Sequence, residues 1–353
     1  MKNKKDIRQS YCNPLPIPDI PWGKDLWYPY EEGMFSHENK PASITEPDYR
    51  SISDPTVFYW DDKWYLYPSY GMAWVSENFR DWQSVSTEPY CPKYSPAIIP
   101  WKGKFLLTSW DCPLYVADTP TGPFQLLGRL IDTEGNEFKI VDPALFLDDD
   151  GRIYAYGFRA RVSENFRFFY SQIIGWELDP DDPRQVIRGP VVLYEMNPKD
   201  NIWERFGAHH QNTQFGWVEG VHLLKHNGRY YAVYATPNTE YDNYCMAVLW
   251  SDDGPLGNFV VQKRNPLTIH QTGIVRGCGH GCVEHGPGGS LWAFYTVAVP
   301  FYSQVERRIG MDMVAVDENR ELYCPFGVTD TPQFAPGYIK DPLKDGNDCG
   351  YLC

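Results

Sequence analysis

The chain has 353 residues, of which 42% are hydrophobic and 16% aromatic, and its formal net charge is −14 at pH 7. This length and hydrophobic content suit one large all-β domain or two ordinary domains. The negative charge argues against a nucleic-acid partner. No stretch of the sequence approaches the roughly 18 apolar residues of a membrane helix, so we expect no membrane partner either.

The start of the chain carries lysines at positions 2, 4 and 5 without the apolar run of a secretory signal. Nine cysteines, an odd number, are typical of reduced thiols in a chain of this length. We therefore expect a cytoplasmic protein. Residues 1–50, rich in proline and aromatic residues, are interpreted as an extension that packs on a catalytic domain at 51–335, and residues 336–353 as a C-terminal tail.

Short aromatic and β-branched runs, separated by many of the 30 Pro and 29 Gly, predict numerous strands and few helices. Five stretches share one pattern: a polar residue, a short strand, a turn and a second aromatic strand. In chain order they are SDPTVFYWDDKWYLYPS (53–69), YSPAIIPWKGKFLLTS (94–109), VDPALFLDDDGRIYAYG (141–157), VEGVHLLKHNGRYYAVYA (218–235) and GHGCVEHGPGGSLWAFYT (279–296). The polar residues that open them, here called the anchor residues, are Asp54, Ser95, Asp142, Glu219 and His280.

The spacing of the anchor residues predicts the fold. They are 41, 47, 77 and 61 residues apart, and a four-stranded propeller blade takes about 40–45 residues. We therefore predict an all-β chain with a single five-bladed β-propeller and inserted loops in the later two intervals. The innermost strand of every blade begins near the central axis, so the anchor residues are expected to meet in one pocket.

Three of the anchor residues are carboxylates: Asp54, Asp142 and Glu219. Like charges in one pocket raise the pKa of at least one member, which leaves a proton donor beside an ionised base. Cleavage of a glycosidic bond needs that pair, because the acid protonates the leaving oxygen while the base activates a water. The pattern therefore favours a glycosidase that acts on an oligosaccharide.

The motifs around these acids resemble those of glycoside hydrolase family 43, five-bladed propeller enzymes that act on arabinose- and xylose-containing glycans. The matching stretches are S-D-P-T at Asp54, V-D-P-A at Asp142, V-E-G-V at Glu219 and G-x-G-H at His280, and the likeness covers roughly residues 50–320. The resemblance implies that Asp54 is the general base, Asp142 the pKa modulator and Glu219 the general acid. It also implies inversion of configuration, with base and acid about 6.5–9.5 Å apart.

The function expected from the resemblance is removal of terminal α-L-arabinofuranosyl or β-D-xylosyl residues, with terminal galactosyl residues as a further candidate. Two alternatives stay open: a retaining fructan-type hydrolase or transferase, and a non-catalytic carbohydrate-binding propeller. The family commonly has Glu-Gly-Pro at the acid and Trp-Ala-Pro in the second blade. This chain has Glu219-Gly220-Val221 and Tyr94-Ser95-Pro96, departures that bear on the pocket walls and hence on the substrate.

The resemblance also implies a metal ion in the pocket and an arginine that contacts the substrate. A calcium ion on the propeller axis is expected near His280, bound through water because hard cations prefer oxygen; no organic cofactor is expected. An arginine at the end of the last blade commonly contacts the substrate, and Arg308 fits best, with Arg307 as the competing choice.

Aromatic and histidine residues near strand ends complete the expected site. Trp74, Trp110 and Trp217 lie beside anchor residues and are candidates to stack on sugar rings. His209 lies in the long interval before Glu219, where a loop can reach the pocket mouth. A zinc site at Cys278, His280, Cys282 and His285 is disfavoured, because their spacing matches no usual ligand set.

Overall fold

The computed structural model of the chain describes residues 10–17, 52–69, 73–78, 81–85, 87, 94–162, 169–239, 241–269, 273–286, 289–298 and 307–334. Within them lie five four-stranded antiparallel sheets, each a meander in chain order. These sheets are called blades one to five. The first two strands of every blade form the expected hairpin, because each repeat places a turn between two strands rich in aromatic and β-branched residues.

The strands of the blades have the following bounds. Blade one holds β2 (Thr56–Trp60), β3 (Lys63–Tyr67), β4 (Ala73–Ser76) and β5 (Trp82–Val85). Blade two holds β6 (Ala97–Trp101), β7 (Lys104–Thr108), β8 (Leu114–Ala117) and β9 (Gln125–Gly128). Blade three holds β12 (Val141–Leu147), β13 (Ile153–Val162), β14 (Phe169–Leu178) and β15 (Val186–Glu195). Blade four holds β16 (Glu219–His226), β17 (Arg229–Thr236), β18 (Cys245–Ser251) and β19 (Val260–Val261). Blade five holds β20 (Gly281–His285), β21 (Leu291–Ala298), β22 (Arg307–Val316) and β23 (Leu322–Tyr323).

Two further strand pairs lie outside the blades: β1 (Ser10–Tyr11) with β24 (Gln333–Phe334), and β10 (Leu130–Ile131) with β11 (Glu137–Phe138). Helical structure in the described ranges includes a 3-10 turn at Ile202–Glu204. No helix in these ranges is long and apolar enough to cross a membrane.

The innermost strands close a ring. Strand β2 contacts β6, and the contacts continue through β12, β16 and β20 back to β2. Hydrophobic clusters fill the space between neighbouring blades; Tyr156 of blade three and Tyr234 of blade four, for example, are fully buried in one cluster. The prediction of a single five-bladed propeller is therefore confirmed.

A left-handed backbone residue marks the start of each innermost strand. The φ angles are +52° at Asp54, +45° at Ser95, +46° at Asp142 and +40° at His280. Residues other than glycine rarely adopt this conformation, and where they do it is often at a functional site. The repeat thus places the side chains of these four residues at the same end of the ring.

In blade four the equivalent left-handed residue is Gly220, with a φ of +53°, and not Glu219. The ladders agree, because Glu219 pairs before a bulge in β16 as Val141 does in β12. The predicted alignment of Glu219 with the other anchor residues is therefore wrong by one position. Glycine at 220 permits the turn without the steric cost of a Cβ.

The described part of the predicted N-terminal extension, residues 10–17, packs on blade five. The Asn13 side chain donates to the carbonyls of Met311 and Thr329 and to Asp312, and Leu15 N–H donates to the Ile309 carbonyl at 2.8 Å. The remainder of the extension and the predicted tail at 336–353 lie outside the described residues.

Candidate active site

Asp54 lies at the start of blade one, where hydroxyl groups hold one of its oxygens. The Ser53 and Ser69 hydroxyls both donate to Asp54 Oδ2 at 2.7 Å. The Asp54 N–H donates to the Thr296 hydroxyl of blade five at 2.9 Å. These contacts fix the carboxylate in position although its backbone is left-handed.

The other oxygen, Asp54 Oδ1, faces two cationic or polar groups. Arg307 Nη1 and His280 Nδ1 each lie 3.4 Å from it. Burial alone would raise the pKa of Asp54, but Arg307, His280 and the two serine hydroxyls outweigh burial and lower the pKa below its usual value. Asp54 is therefore ionised at neutral pH, as a general base must be.

Asp142 of blade three connects to Asp54 through the anchor residues of the neighbouring blades. The Ser95 hydroxyl donates to Asp142 Oδ1 at 2.9 Å and lies 3.2 Å from His280 Nε2. His280 in turn approaches Asp54 through its other ring nitrogen. Four of the five anchor residues that were expected to meet in one pocket thus form one connected network at the axis.

Glu219 is held by two donors. Trp217 Nε1 donates to Glu219 Oε2 and the Tyr244 hydroxyl donates to Glu219 Oε1, both at 2.7 Å. Tyr244 stands just before strand β18, on a segment in which the sequence analysis identified no functional residue. Nothing in the local sequence marks it, because its role depends on a contact with a residue 25 positions earlier.

The two remaining carboxyls have pKa values opposite in direction to that of Asp54. Burial and the charge of Asp54 raise the pKa of Asp142 to about 7. Burial and the charge of Asp142 raise the pKa of Glu219 to about 7. The site therefore contains an ionised carboxylate and a carboxyl that keeps its proton near neutrality, which is the combination that acid–base cleavage of a glycosidic bond requires.

The arginine at the site is Arg307, not Arg308. Arg307 reaches Asp54, whereas Arg308 donates from Nη1 to the Arg307 backbone carbonyl. The preference for Arg308 is therefore corrected. The two residues follow each other on strand β22, and consecutive side chains of a strand point to opposite faces of the sheet.

The predicted aromatic residues have different positions. Trp74 is 1% exposed in the hydrophobic core beside blade one, so the expectation that it stacks on a sugar is wrong. Trp110 is half-buried next to Tyr94, the neighbour of Ser95, with ring centroids 5.7 Å apart. Trp217 is half-buried and contacts Glu219. Substrate stacking on Trp110 and Trp217 stays a prediction.

His209 is exposed on the segment 196–218, which connects blade three to blade four and is here called the insertion. Its backbone N–H donates to Gln211 Oε1 at 3.0 Å, and its role in binding stays a prediction. The insertion is the long interval before Glu219 that the sequence analysis singled out.

A channel of about 770 Å³ runs along the axis between the innermost strands. Asp54, Ser95 and His280 lie at one end of it, and Glu284 and His285 toward the other. Both ring nitrogens of His280 face protein atoms, on Ser95 and Asp54. The described residues contain no group of three His, Cys, Asp or Glu side chains placed to hold a metal ion, so the donor set does not fit direct calcium coordination, and calcium bound through water stays a prediction.

The cysteines of the disfavoured zinc site are buried as free thiols. Cys278 and Cys282 have no exposed surface, and burial raises the pKa of both. A thiol that stays protonated is a poor zinc ligand.

A five-bladed propeller with an ionised carboxylate and carboxyls of raised pKa at its axis fits one class of protein, the glycoside hydrolases. The model of glycosyl hydrolases family 43 matches residues 37–320. The chain belongs to that family, and the resemblance drawn from the three acidic motifs is confirmed.

Relatives and solved structures agree with this assignment. The chain is 25% identical to a xylosidase/arabinosidase of Bacteroides ovatus, over 60% of this chain and 77% of the relative. It is 28% identical to a xylosidase/arabinosidase of Butyrivibrio fibrisolvens, over 48% of this chain and only 27% of the relative. The structure of a thermostable family-43 glycoside hydrolase has a TM-score of 0.67 at 22% identity and covers 81% of this chain and 96% of its own. The xylan β-1,4-xylosidase of Bacillus halodurans has a TM-score of 0.59 at 19% identity, over 79% of this chain and 56% of its own. At these identities the two structures show the fold alone.

Proposed function

We propose that the chain is an inverting exo-glycosidase that removes terminal α-L-arabinofuranosyl or β-D-xylosyl residues from oligosaccharides. The observation that carries the proposal is the divergence of pKa values at one site, lowered at Asp54 and raised to about 7 at Glu219. The relatives named xylosidase/arabinosidase support the choice of pentosyl residues.

In the proposed reaction a water attacks the anomeric carbon while Asp54 accepts its proton. The bond between that carbon and the glycosidic oxygen breaks, and Glu219 gives its proton to the departing oxygen. Asp142 touches neither proton; its charge, where present, helps to keep Glu219 protonated until the reaction. The products are the free sugar of inverted configuration and the shortened glycan, after which Asp54 and Glu219 exchange protons with solvent.

The arginine beside the base supports the same assignment. Arg307 lowers the pKa of Asp54, and its guanidinium lies 3.4 Å from that carboxylate at the axial site. The exo preference is supported by the insertion, which contacts Glu219 through the indole of Trp217.

The test combines activity with stereochemistry. Nitrophenyl α-L-arabinofuranoside and β-D-xyloside are assayed, and the anomer first released from the better substrate is followed by proton NMR. Inversion is expected, together with a large loss of turnover of an oligosaccharide in Glu219→Gln. Retention would instead favour the fructan-type alternative, and an unchanged Glu219→Gln would remove Glu219 from the role of acid.

A further inference from the structure

We propose that Tyr244 and Trp217 are positioning residues that together hold the Glu219 carboxyl in the orientation of a general acid. This inference rests on the proposed role of Glu219 and assigns two residues that act through it. Its basis is geometric: each oxygen of Glu219 accepts one hydrogen bond of 2.7 Å from a different residue. With both oxygens fixed, the carboxyl cannot rotate about its terminal bond.

Tyr244 reaches Glu219 because of a glycine in blade five. The Tyr244 ring is buried and lies over Gly279, where an added Cβ would fall 2.3 Å from Tyr244 Cδ1. Gly279 directly precedes His280, so the second glycine of the G-x-G-H motif leaves room for the tyrosine ring. A buried phenol requires a hydrogen-bond acceptor, and Glu219 supplies it.

Trp217 reaches Glu219 because hydrogen bonds to blades three and four hold the insertion in place. Glu204, with no exposed surface, accepts from the hydroxyls of Tyr194 and Tyr234 at 2.6 and 2.8 Å. The Trp217 N–H donates to the Glu204 carbonyl at 3.3 Å, and the Thr236 hydroxyl donates to the Trp217 carbonyl at 2.7 Å.

The Trp217 ring is also fixed from the side. Phe158 of blade three meets it edge-on at 5.6 Å, and Phe206 of the insertion stacks on it at 6.5 Å. The indole N–H is therefore directed at the acid by packing, as a positioning residue requires.

The effects on the pKa of Glu219 act in opposite directions. Burial and the Asp142 charge raise its pKa, whereas His280, Tyr244 and Trp217 lower it. Hydrogen bonds to a carboxylate stabilise the ionised form. Loss of either donor should therefore raise the pKa of Glu219 and move the alkaline limb of the pH–rate profile to higher pH.

The experiment measures the pH profiles of kcat/KM and kcat for Tyr244→Phe and Trp217→Phe, each of which removes a donor and keeps an aromatic ring. Each variant is expected to shift the alkaline limb upward by about one pH unit. Turnover of an oligosaccharide should fall about tenfold, and turnover of a nitrophenyl glycoside less, because nitrophenolate needs little protonation to leave.

The matched control is Tyr156→Phe, which removes a hydroxyl that is equally buried and donates to the Pro255 carbonyl in the core between blades three and four. It should leave the pH profile of the wild type unchanged. If Tyr244→Phe and Trp217→Phe show the profile of this control while Glu219→Gln is inactive on the oligosaccharide, the positioning role is overturned and the proposed function stands. If Glu219→Gln itself retains full activity, the proposed acid and the positioning role are both overturned.

Discussion

A Cβ on Gly220 would lie 2.7 Å from the imidazole ring of His280. The left-handed position of blade four therefore carries no side chain, and the imidazole of His280 occupies the space that a side chain would need. His280 can then contact both Ser95 and Asp54. The position of His280 in the site therefore depends on this glycine.

Replacement of Gly220 by alanine should therefore damage activity more than stability. The φ of +53° costs alanine about 1–2 kcal/mol, and the contact with His280 forces the ring away from Asp54. We expect kcat/KM to fall at least about tenfold, with urea unfolding as the check on stability. Gly228→Ala is the control, since its φ is +75° and no atom lies within 4 Å of its added Cβ. Equal losses of activity in both variants would contradict the explanation.

The pH–rate profile should fall as the pH rises through about 7. Glu219 must be protonated to act as the acid, and burial together with Asp142 raises its pKa to about 7. Asp142→Asn removes the second of these causes, so the falling limb should move to lower pH. Asp118→Asn, at a carboxylate that is 81% exposed, is the control. An unmoved limb in Asp142→Asn would show that Asp142 does not modulate the acid.

Arg307 and Arg308 offer a direct comparison of two adjacent side chains. Arg307→Ala removes the guanidinium that lowers the pKa of Asp54, so the acidic limb of the profile should move to higher pH. A loss of kcat/KM of about tenfold or more is also expected, as for removal of a charge-assisted contact. Arg308→Ala should leave the acidic limb in place. The reverse result would restore Arg308 as the arginine of the site.

The repeat pattern was sufficient to predict the propeller and the meeting of four anchor residues at its axis, because the same strand–turn–strand pattern recurs along the chain. The repeat pattern could not show that Glu219 is offset by one position. The offset arises at the bulge in β16, and the order of hydrophobic residues there does not reveal it. Arg307 and Arg308 could not be separated either, since the sequence does not show which face of β22 points to the axis. The sequence could not distinguish Trp74 from Trp217 either, because the burial of each depends on the residues that pack around it in the fold. Tyr244 could not be predicted, because its contact with Glu219 joins two residues that are distant in the sequence.

Asn13 should contribute strongly to the attachment of the N-terminal segment. Its side chain donates to Asp312 and to two backbone carbonyls, and its Oδ1 accepts from the Met311 N–H at 2.9 Å. Asn13→Ala removes the acceptor of the buried Met311 N–H and one of the donors to Asp312, so the free energy of unfolding should fall by about 2–3 kcal/mol in urea titrations. Asn258→Ala, which removes an exposed bond to Asp253, is the control and should change stability by less than about 0.5 kcal/mol. A similar small change at Asn13 would show that the segment does not brace blade five.

Stability itself should depend on pH through Asp312. Burial raises the pKa of this carboxyl to about 7, despite hydrogen bonds from Tyr295, Gln333 and Asn13. The folded chain therefore binds the proton more tightly than the unfolded chain does. Its stabilising effect is complete below the unfolded value of 3.8 and is lost as the pH rises through about 7.

Asp312→Asn keeps the shape of the side chain and removes the titration. Between about pH 5 and about pH 8 the variant should therefore lose less stability than the wild type, by about 2 kcal/mol in urea unfolding. Asp181→Asn, at a side chain that is 86% exposed, should behave as the wild type does. Asp142, Glu219 and Glu284 have pKa values raised in the same direction, so part of the pH dependence should remain in the variant. An identical pH dependence in Asp312→Asn and the wild type would show that Asp312 is already ionised within the folded chain.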